Sequence, residues 1–236
     1  MQIAIVLYKG MTALDAIGPY EVLNLIEDSE LRFVSNEVGP IVTDSGILVL
    51  GATHSFEETP NPDLILVPGS SADTLTAMAD KELINWLQTC HPNTRLTLSV
   101  CSGALVLAAA GLLEGKEATT HWLAQDELKR FGAIPKKQER IVRSGKIMTA
   151  AGVSAGIDLA LAVVEELCGR QRAEEIQLLI EYDPQPPVNS GHISKASKSV
   201  LENATREMKA AARNPRNAVS LPLVLWRTAL RKLRKH

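Results

Sequence analysis

Two runs of this chain, Ile3–Tyr8 and Leu64–Val67, are apolar without a break, and a third, Leu96–Val100, holds only apolar and small uncharged residues. A strand with one wet face alternates apolar and polar positions, whereas a strand apolar throughout is covered on both faces. Helical patterns lie between these runs. Pro19–Ile26 presents Val22, Leu23, Leu25 and Ile26 as an apolar face, Asp80–Cys90 reads as helix, and Gly156–Cys168 is a strongly apolar helix. The alternation predicts an α/β fold in which a parallel sheet is sandwiched between two helical layers. Arg32–Val38 and Ile41–Leu50 are extended pieces broken by Gly39-Pro40 and Ser45-Gly46. Ile141–Arg143 and Lys146–Thr149 flank Ser144-Gly145, so both regions read as hairpin structure.

A length of 236 residues suits one large domain with an appendage. The proline-rich connector Asp183-Pro-Gln-Pro-Pro-Val-Asn-Ser-Gly191 divides an α/β domain at 1–191 from a helical arm at 192–236, with helices expected around Ser194–Arg213 and Pro222–Arg234. The arm is too short for a second domain. It holds 11 Lys and Arg against 2 Asp and Glu, while residues 1–191 hold 14 against 25. Its basic side chains are read as a solvated face, or one turned to the acidic body or a partner subunit. No aromatic platform or helix-turn-helix accompanies them, so nucleic acid is not an expected partner. No apolar run reaches the 18 to 20 or so residues of a membrane span, and the N-terminus enters a strand without a basic leader. The cysteines Cys90, Cys101 and Cys168 are odd in number and widely spaced, which argues against a disulfide framework. A reducing, cytoplasmic location is the expectation.

The chemistry concentrates at Arg95-Leu-Thr-Leu-Ser-Val-Cys-Ser-Gly-Ala-Leu-Val-Leu-Ala, where a strand stops at Cys101 and a small-residue helix begins. This is the pattern of a nucleophile elbow, in which a sharp turn lifts the side chain above the sheet edge beside the first helical N–H groups. The helix N-terminus is expected to favour the thiolate; the bland reading of Cys101 is a small buried apolar residue. Asp15, among the apolar residues of Leu14-Asp15-Ala16-Ile17-Gly18-Pro19, is the candidate acid/base, since desolvation raises a carboxyl pKa; alternatively it caps the Pro19 helix. His121 precedes a Trp and reads as a structural residue more than a thiol partner. Ser102 offers an amide donor and a hydroxyl that can reach Asp15. Gly69 and Ser70, at the end of a neighbouring strand, are expected to complete a two-donor hole for developing negative charge. Val153, at another strand end, walls the pocket or caps the core. No His or Cys pair has metal-ligand spacing, and no phosphate-binding glycine loop is present, so neither metal nor cofactor is expected.

Ser99-Val-Cys-Ser-Gly-Ala-Leu-Val-Leu-Ala-Ala-Ala-Gly-Leu-Leu-Glu-Gly-Lys-Glu-Ala-Thr-Thr-His-Trp resembles the signature of the PfpI/ThiJ superfamily, whose fold is flavodoxin-like, of the class I glutamine amidotransferase type. Leu14-Asp-Ala-Ile-Gly-Pro-Tyr-Glu-Val-Leu, Gly132-Ala-Ile-Pro, Ala155-Gly-Ile-Asp-Leu-Ala-Leu and Glu181-Tyr-Asp-Pro-Gln-Pro-Pro-Val-Asn-Ser-Gly are similar to its isonitrile hydratase branch. The resemblance covers about residues 1–191. It implies a homodimer and a cofactor-free hydration of a small-molecule isonitrile to an N-substituted formamide, with Cys101 as nucleophile and Asp15 as acid/base. Two residues depart from the family pattern: Ser102 stands where Thr is common, and Ser70 where the second turn has a second Gly. A Cβ at Ser70 is expected to strain a positive φ and to narrow the pocket. The superfamily's proteases have His directly after the cysteine, which Ser102 is not. Other members are ligand sensors of transcription regulators, so a ligand- or redox-sensing module is the competing reading.

Overall fold

The first strand lies in the interior of the sheet, next to its central strand. In this computed structural model, which describes residues 1–213 and 215–233, strand β1 (Gln2–Val6) pairs in parallel with β2 (Glu30–Ser35) on one side. Between β2 and the next sheet strand, β3 (Gly39–Val42) and β4 (Val49–Ala52) form an antiparallel hairpin outside the main sheet. β5 (His54–Ser55) then extends the β2 edge, and β6 (Leu64–Val67) takes the other side of β1. β7 (Leu96–Ser99) lies beside β6. A short parallel pair, β8 (Glu117–Ala118) with β9 (Ile134–Pro135), stands apart. β10 (Ile141–Ser144) and β11 (Ile147–Ala150) form the second hairpin, with β11 parallel to β7 and β10 antiparallel at the edge. The sheet order is β10-β11-β7-β6-β1-β2-β5. Every residue of β6 and β7 is buried, as strands covered on both faces must be.

Helices α1 (Ala13–Leu23), α6 (Ala155–Cys168) and α7 (Arg170–Leu179) pack together. So do α2 (Thr74–Ala79), α3 (Lys81–Cys90) and α4 (Gly103–Ala109). These are the two helical layers of a flavodoxin-like three-layer sandwich, and α5 (Gln125–Arg130) packs on α4. Local chemistry explains α3: the Asp80 carboxylate accepts from the Glu82 and Leu83 amides at 2.9 and 3.1 Å, and Leu83, Ile84, Trp86 and Leu87 form its buried face. No helix among the described residues is long and apolar enough to cross a membrane.

Two helices differ from the sequence expectation. α1 starts at Ala13, with Thr12 at the cap position, so Pro19 lies inside it rather than at its start. The start is set by the preceding loop, which is tied down by Gly10 N–H to the Val42 carbonyl at 2.8 Å and Thr12 N–H to the Gly69 carbonyl at 2.9 Å. Asp15 therefore sits in the first helical turn and is not the cap. In the arm, α8 (Lys198–Ala211) is followed by α9 (Pro215–Leu233), which begins earlier than Pro222 and holds that proline in its interior; the expected end at Arg234 lies outside the described residues.

Gly103, the first residue of α4, touches the end of β6. A Cβ there would run into the Val67 carbonyl oxygen and lie 2.9 Å from that of Pro68. Both obstacles are backbone. Gly103→Ala is expected to destabilise the fold by about 1 to 3 kcal/mol, read as a lower urea midpoint at unchanged m-value.

Candidate active site

The turn after β7 places Cys101 in the left-handed region, at φ +57°, a conformation that costs an L-residue roughly 1 to 3 kcal/mol unless its surroundings hold it. They hold it from both sides. The Cys101 N–H donates to the Ala151 carbonyl just past β11 at 2.8 Å, and the Thr120 hydroxyl donates to the Cys101 carbonyl at 2.7 Å. The thiol is thereby delivered to the carboxyl end of the sheet, with only 4% of the residue exposed. This is the position at which open α/β sheets bind ligands.

Asp15 reaches the same point from α1. It is fully buried; its Oδ2 accepts from the Gly69 N–H at 2.8 Å, while Oδ1 has no hydrogen-bond partner. Burial pushes its pKa from 3.8 up to about 7, against the opposing pull of the Gly69 N–H and the neighbouring Cys101 thiol. The thiol is pushed up as well, by burial first and by the Asp15 charge second. The Ser102 and Val153 amides and the Ser102 hydroxyl pull the other way and do not overcome it. The expectation of a helix-stabilised thiolate is thus corrected: desolvation and a nearby carboxylate outweigh the N-terminus of a seven-residue helix.

Sequence reasoning assigned the donors differently from the structure. Gly69 N–H is spent on Asp15, and Ser70 N–H on the Ser102 hydroxyl at 2.9 Å, so neither is free to form the expected hole. The amides directed at the sulfur are those of Ser102 and Val153. The Ser102 hydroxyl bonds Ser70 and, at 2.7 Å, Thr74, and not Asp15. Nor is Ser70 strained: among the described residues the non-glycine residues with positive φ are Asp28, Cys101 and Glu181. Its hydroxyl donates to the Gly10 carbonyl at 2.5 Å and accepts from the Asp73 N–H at 2.8 Å, tying the loop after β1 to the start of α2. The residue that cannot carry a side chain is Gly69, where a Cβ would lie 2.5 Å from the Ser102 nitrogen.

A cavity of about 400 Å³ opens over the thiol. Ser70, Ser102 and Val153 line it with Cys101, together with Leu105, Leu123 and His121, which sequence reasoning had not placed there, and with Met208 and Ala212 of the arm. His121 is largely buried, which holds its pKa below the usual value, and its Nδ1 accepts from the Leu123 N–H at 3.4 Å. The charge acting on the thiol is that of Asp15, not of the imidazole. Among the described residues no cluster of His, Cys, Asp or Glu is arranged to hold a metal ion.

Comparisons with known proteins agree on one lineage. The model of the DJ-1/PfpI family matches residues 1–166. The chain is 40% identical over 206 residues to the isonitrile hydratase of Pseudomonas putida, covering 87% of this chain and 89% of that enzyme. It is 30% identical to the HTH-type transcriptional regulator CdhR of Pseudomonas aeruginosa over 72% of this chain but only 50% of the regulator. Among solved structures, a THiJ/PfpI family protein from Pseudomonas syringae superimposes with a TM-score of 0.83 at 36% identity, over 89% of this chain and 88% of that one.

The geometry predicts the sign of two pH effects. Asp15→Asn removes the negative charge that raises the thiol, so the pH midpoint for iodoacetamide alkylation of Cys101 should fall, while an unchanged or higher midpoint would show that the two groups are not coupled. A carboxyl at 3.8 in the unfolded chain and about 7 in the native one means that the native state binds more protons between those values. Stability should therefore decline as pH rises from about 4 to 7, by at most about 1.4 kcal/mol per pH unit from this group. That decline should flatten in Asp15→Asn, as measured by urea unfolding across the window.

Proposed function

The chain belongs to the DJ-1/PfpI family, and from that membership we propose that it is an isonitrile hydratase, adding water to R–N≡C to give R–NH–CHO without a cofactor. The observation that carries the proposal is the pairing of a buried elbow thiol with a buried carboxyl whose pKa lies near 7 and whose Oδ1 is unpartnered. Similarity to the Pseudomonas putida enzyme over most of both chains supports it. The reading includes the homodimer that the resemblance implies.

Hydration of an isonitrile requires one carbon to gain both a nucleophile and a proton. In the proposed sequence the Cys101 proton passes to Asp15 Oδ1 as the sulfur attacks the terminal carbon, and Asp15 returns that proton to the same carbon. The product is a thioimidate, R–N=CH–S–Cys101. Water then adds to the thioimidate carbon while Asp15 takes a proton from it and delivers one to nitrogen. Collapse of the adduct expels the sulfur, which recovers its proton, and releases the formamide. Negative charge building on the sulfur is met by the Ser102 and Val153 amides. Cys101 serves as nucleophile and Asp15 as acid/base throughout, with Gly69 fixing the Asp15 rotamer through its N–H.

The sensing alternative draws on the regulator match, which covers half of that protein. A redox sensor needs an accessible thiolate. Cys101 is buried and its pKa is raised, which favours the enzyme over a redox sensor, while a ligand sensor is separated from it by turnover alone.

The test is formamide production from a simple isonitrile, followed by chromatography. Cys101→Ala should abolish turnover and leave no thioimidate adduct by mass spectrometry of quenched enzyme; Asp15→Asn should lower kcat/KM by about 10² to 10⁴. The reactive state holds a single proton on the thiol–carboxyl pair. In wild type, kcat/KM should therefore rise with pH through about 7 as Asp15 ionises, and Asp15→Asn should lose that limb. An active Cys101→Ala variant, or peroxide oxidation of Cys101 in a protein with no turnover, sinks the assignment.

A further inference from the structure

The arm closes one side of the Cys101 cavity. Leu201, Ala204, Thr205 and Met208, spaced i, i+3, i+4 and i+7, are the half-buried residues of α8, so this stripe faces the domain. Met208, at the end of that stripe, and the exposed Ala212 one turn on line the cavity together with Leu105, Leu123 and Val153. Their position is clamped. The Asn217 side-chain amide donates both to the Ala212 carbonyl at 2.8 Å and to the Ala72 carbonyl at 3.0 Å, joining the end of α8 to the loop that carries Ser70. α9 is fixed in turn on α2 by Arg227 Nη1 to the Ala79 carbonyl at 2.7 Å and by Val224, which is 2% exposed.

We infer that α8 is a specificity element: Met208 and Ala212 bound the space left for the substituent R beyond the reacting carbon. The inference rests on the proposed isonitrile reading for the identity of the substrate, but not for the shape of the site. Ala212 leaves room where a larger residue would not, and Met208 supplies a flexible apolar surface that adapts to different R groups. The domain alone aligns the thiol with the carboxyl. The arm sets how large a group accompanies the carbon.

The experiment uses the full-length chain with Ala212→Phe and Met208→Ala, and Glu207→Phe on the exposed side of α8 as the control for added bulk. Selectivity is the ratio of kcat/KM for benzyl isonitrile to that for methyl isonitrile. It is read a second time, independently of turnover, as the ratio of Cys101 alkylation rates by N-phenyl iodoacetamide and iodoacetamide, with peptide mass spectrometry separating Cys101 from Cys90 and Cys168. Ala212→Phe is expected to lower both ratios about tenfold, Met208→Ala to raise them about threefold, and Glu207→Phe to leave them as in wild type. An alkylation ratio for Ala212→Phe within about twofold of wild type, or equal in the Glu207→Phe control, overturns the inference. A wild type that alkylates selectively but turns over neither isonitrile overturns the functional reading and leaves the role of the arm standing.

Discussion

The site depends on one strained residue being held in place. Cys101 occupies the left-handed region without the freedom of a glycine, and two hydrogen bonds from different elements, Ala151 after β11 and Thr120 after β8, keep it there. The parallel register of β6, β7 and β11 makes that possible, because all three strands end at the same level. Strain at the elbow aims the sulfur along the carboxyl edge of the sheet and frees the Ser102 amide to face it. Close packing behind the turn is the other half of the arrangement: Gly103 lies against the carbonyls that end β6, and Gly69 against the Ser102 nitrogen, so the β6 and β7 turns approach as nearly as backbone allows. Side chains at either position would push the thiol away from the carboxyl.

How much of this was legible in the sequence follows from how local each signal is. The buried strands and the elbow were legible because unbroken apolar runs and a strand-to-helix switch at a cysteine are continuous stretches of chain. The raised pKa of Asp15 was foreseeable for a similar reason, since its neighbours are apolar. Donor assignments were not. Whether the Ser70 N–H points at a substrate or at the Ser102 hydroxyl depends on a distance between two loops, and composition carries nothing about it. The state of the thiol was misread because helix N-termini are visible in sequence while burial beside a carboxylate is not. The arm was read through its surplus of charge, yet the half-buried stripe Leu201, Ala204, Thr205 and Met208 was available to be read from its helical spacing, and it ends at Met208, which lines the cavity with Lys209 and Ala212.

Ser70 stands where the resemblance implies a second glycine, and the turn accommodates it. A second glycine at that turn would supply freedom and space. Serine instead supplies a hydroxyl that bonds three backbone groups, joining the loop that leads into α1 to the residues just before α2. The hydroxyl thus ties the turn to three backbone groups while Ser70 remains part of the cavity wall. Thr74, one turn further, adds its hydroxyl to the same network through Ser102.

The choice of a carboxyl rather than an imidazole as the thiol's partner has a chemical logic. A cysteine paired with a protonated histidine rests as a thiolate, primed for electrophiles that need no proton at the carbon attacked. Here burial raises both members of the pair and the Asp15 charge raises the thiol further, so the thiol keeps its proton and the pair does not rest as separated ions. Such a pair is a poor nucleophile towards general electrophiles. Under the proposed chemistry it suits an isonitrile, whose terminal carbon must receive sulfur and hydrogen together, because the proton that leaves the thiol is carried by the group adjacent to the carbon that needs it. Under that proposed chemistry the lowered pKa of His121 serves the same end, since a cation at that wall would favour the thiolate before the isonitrile arrives.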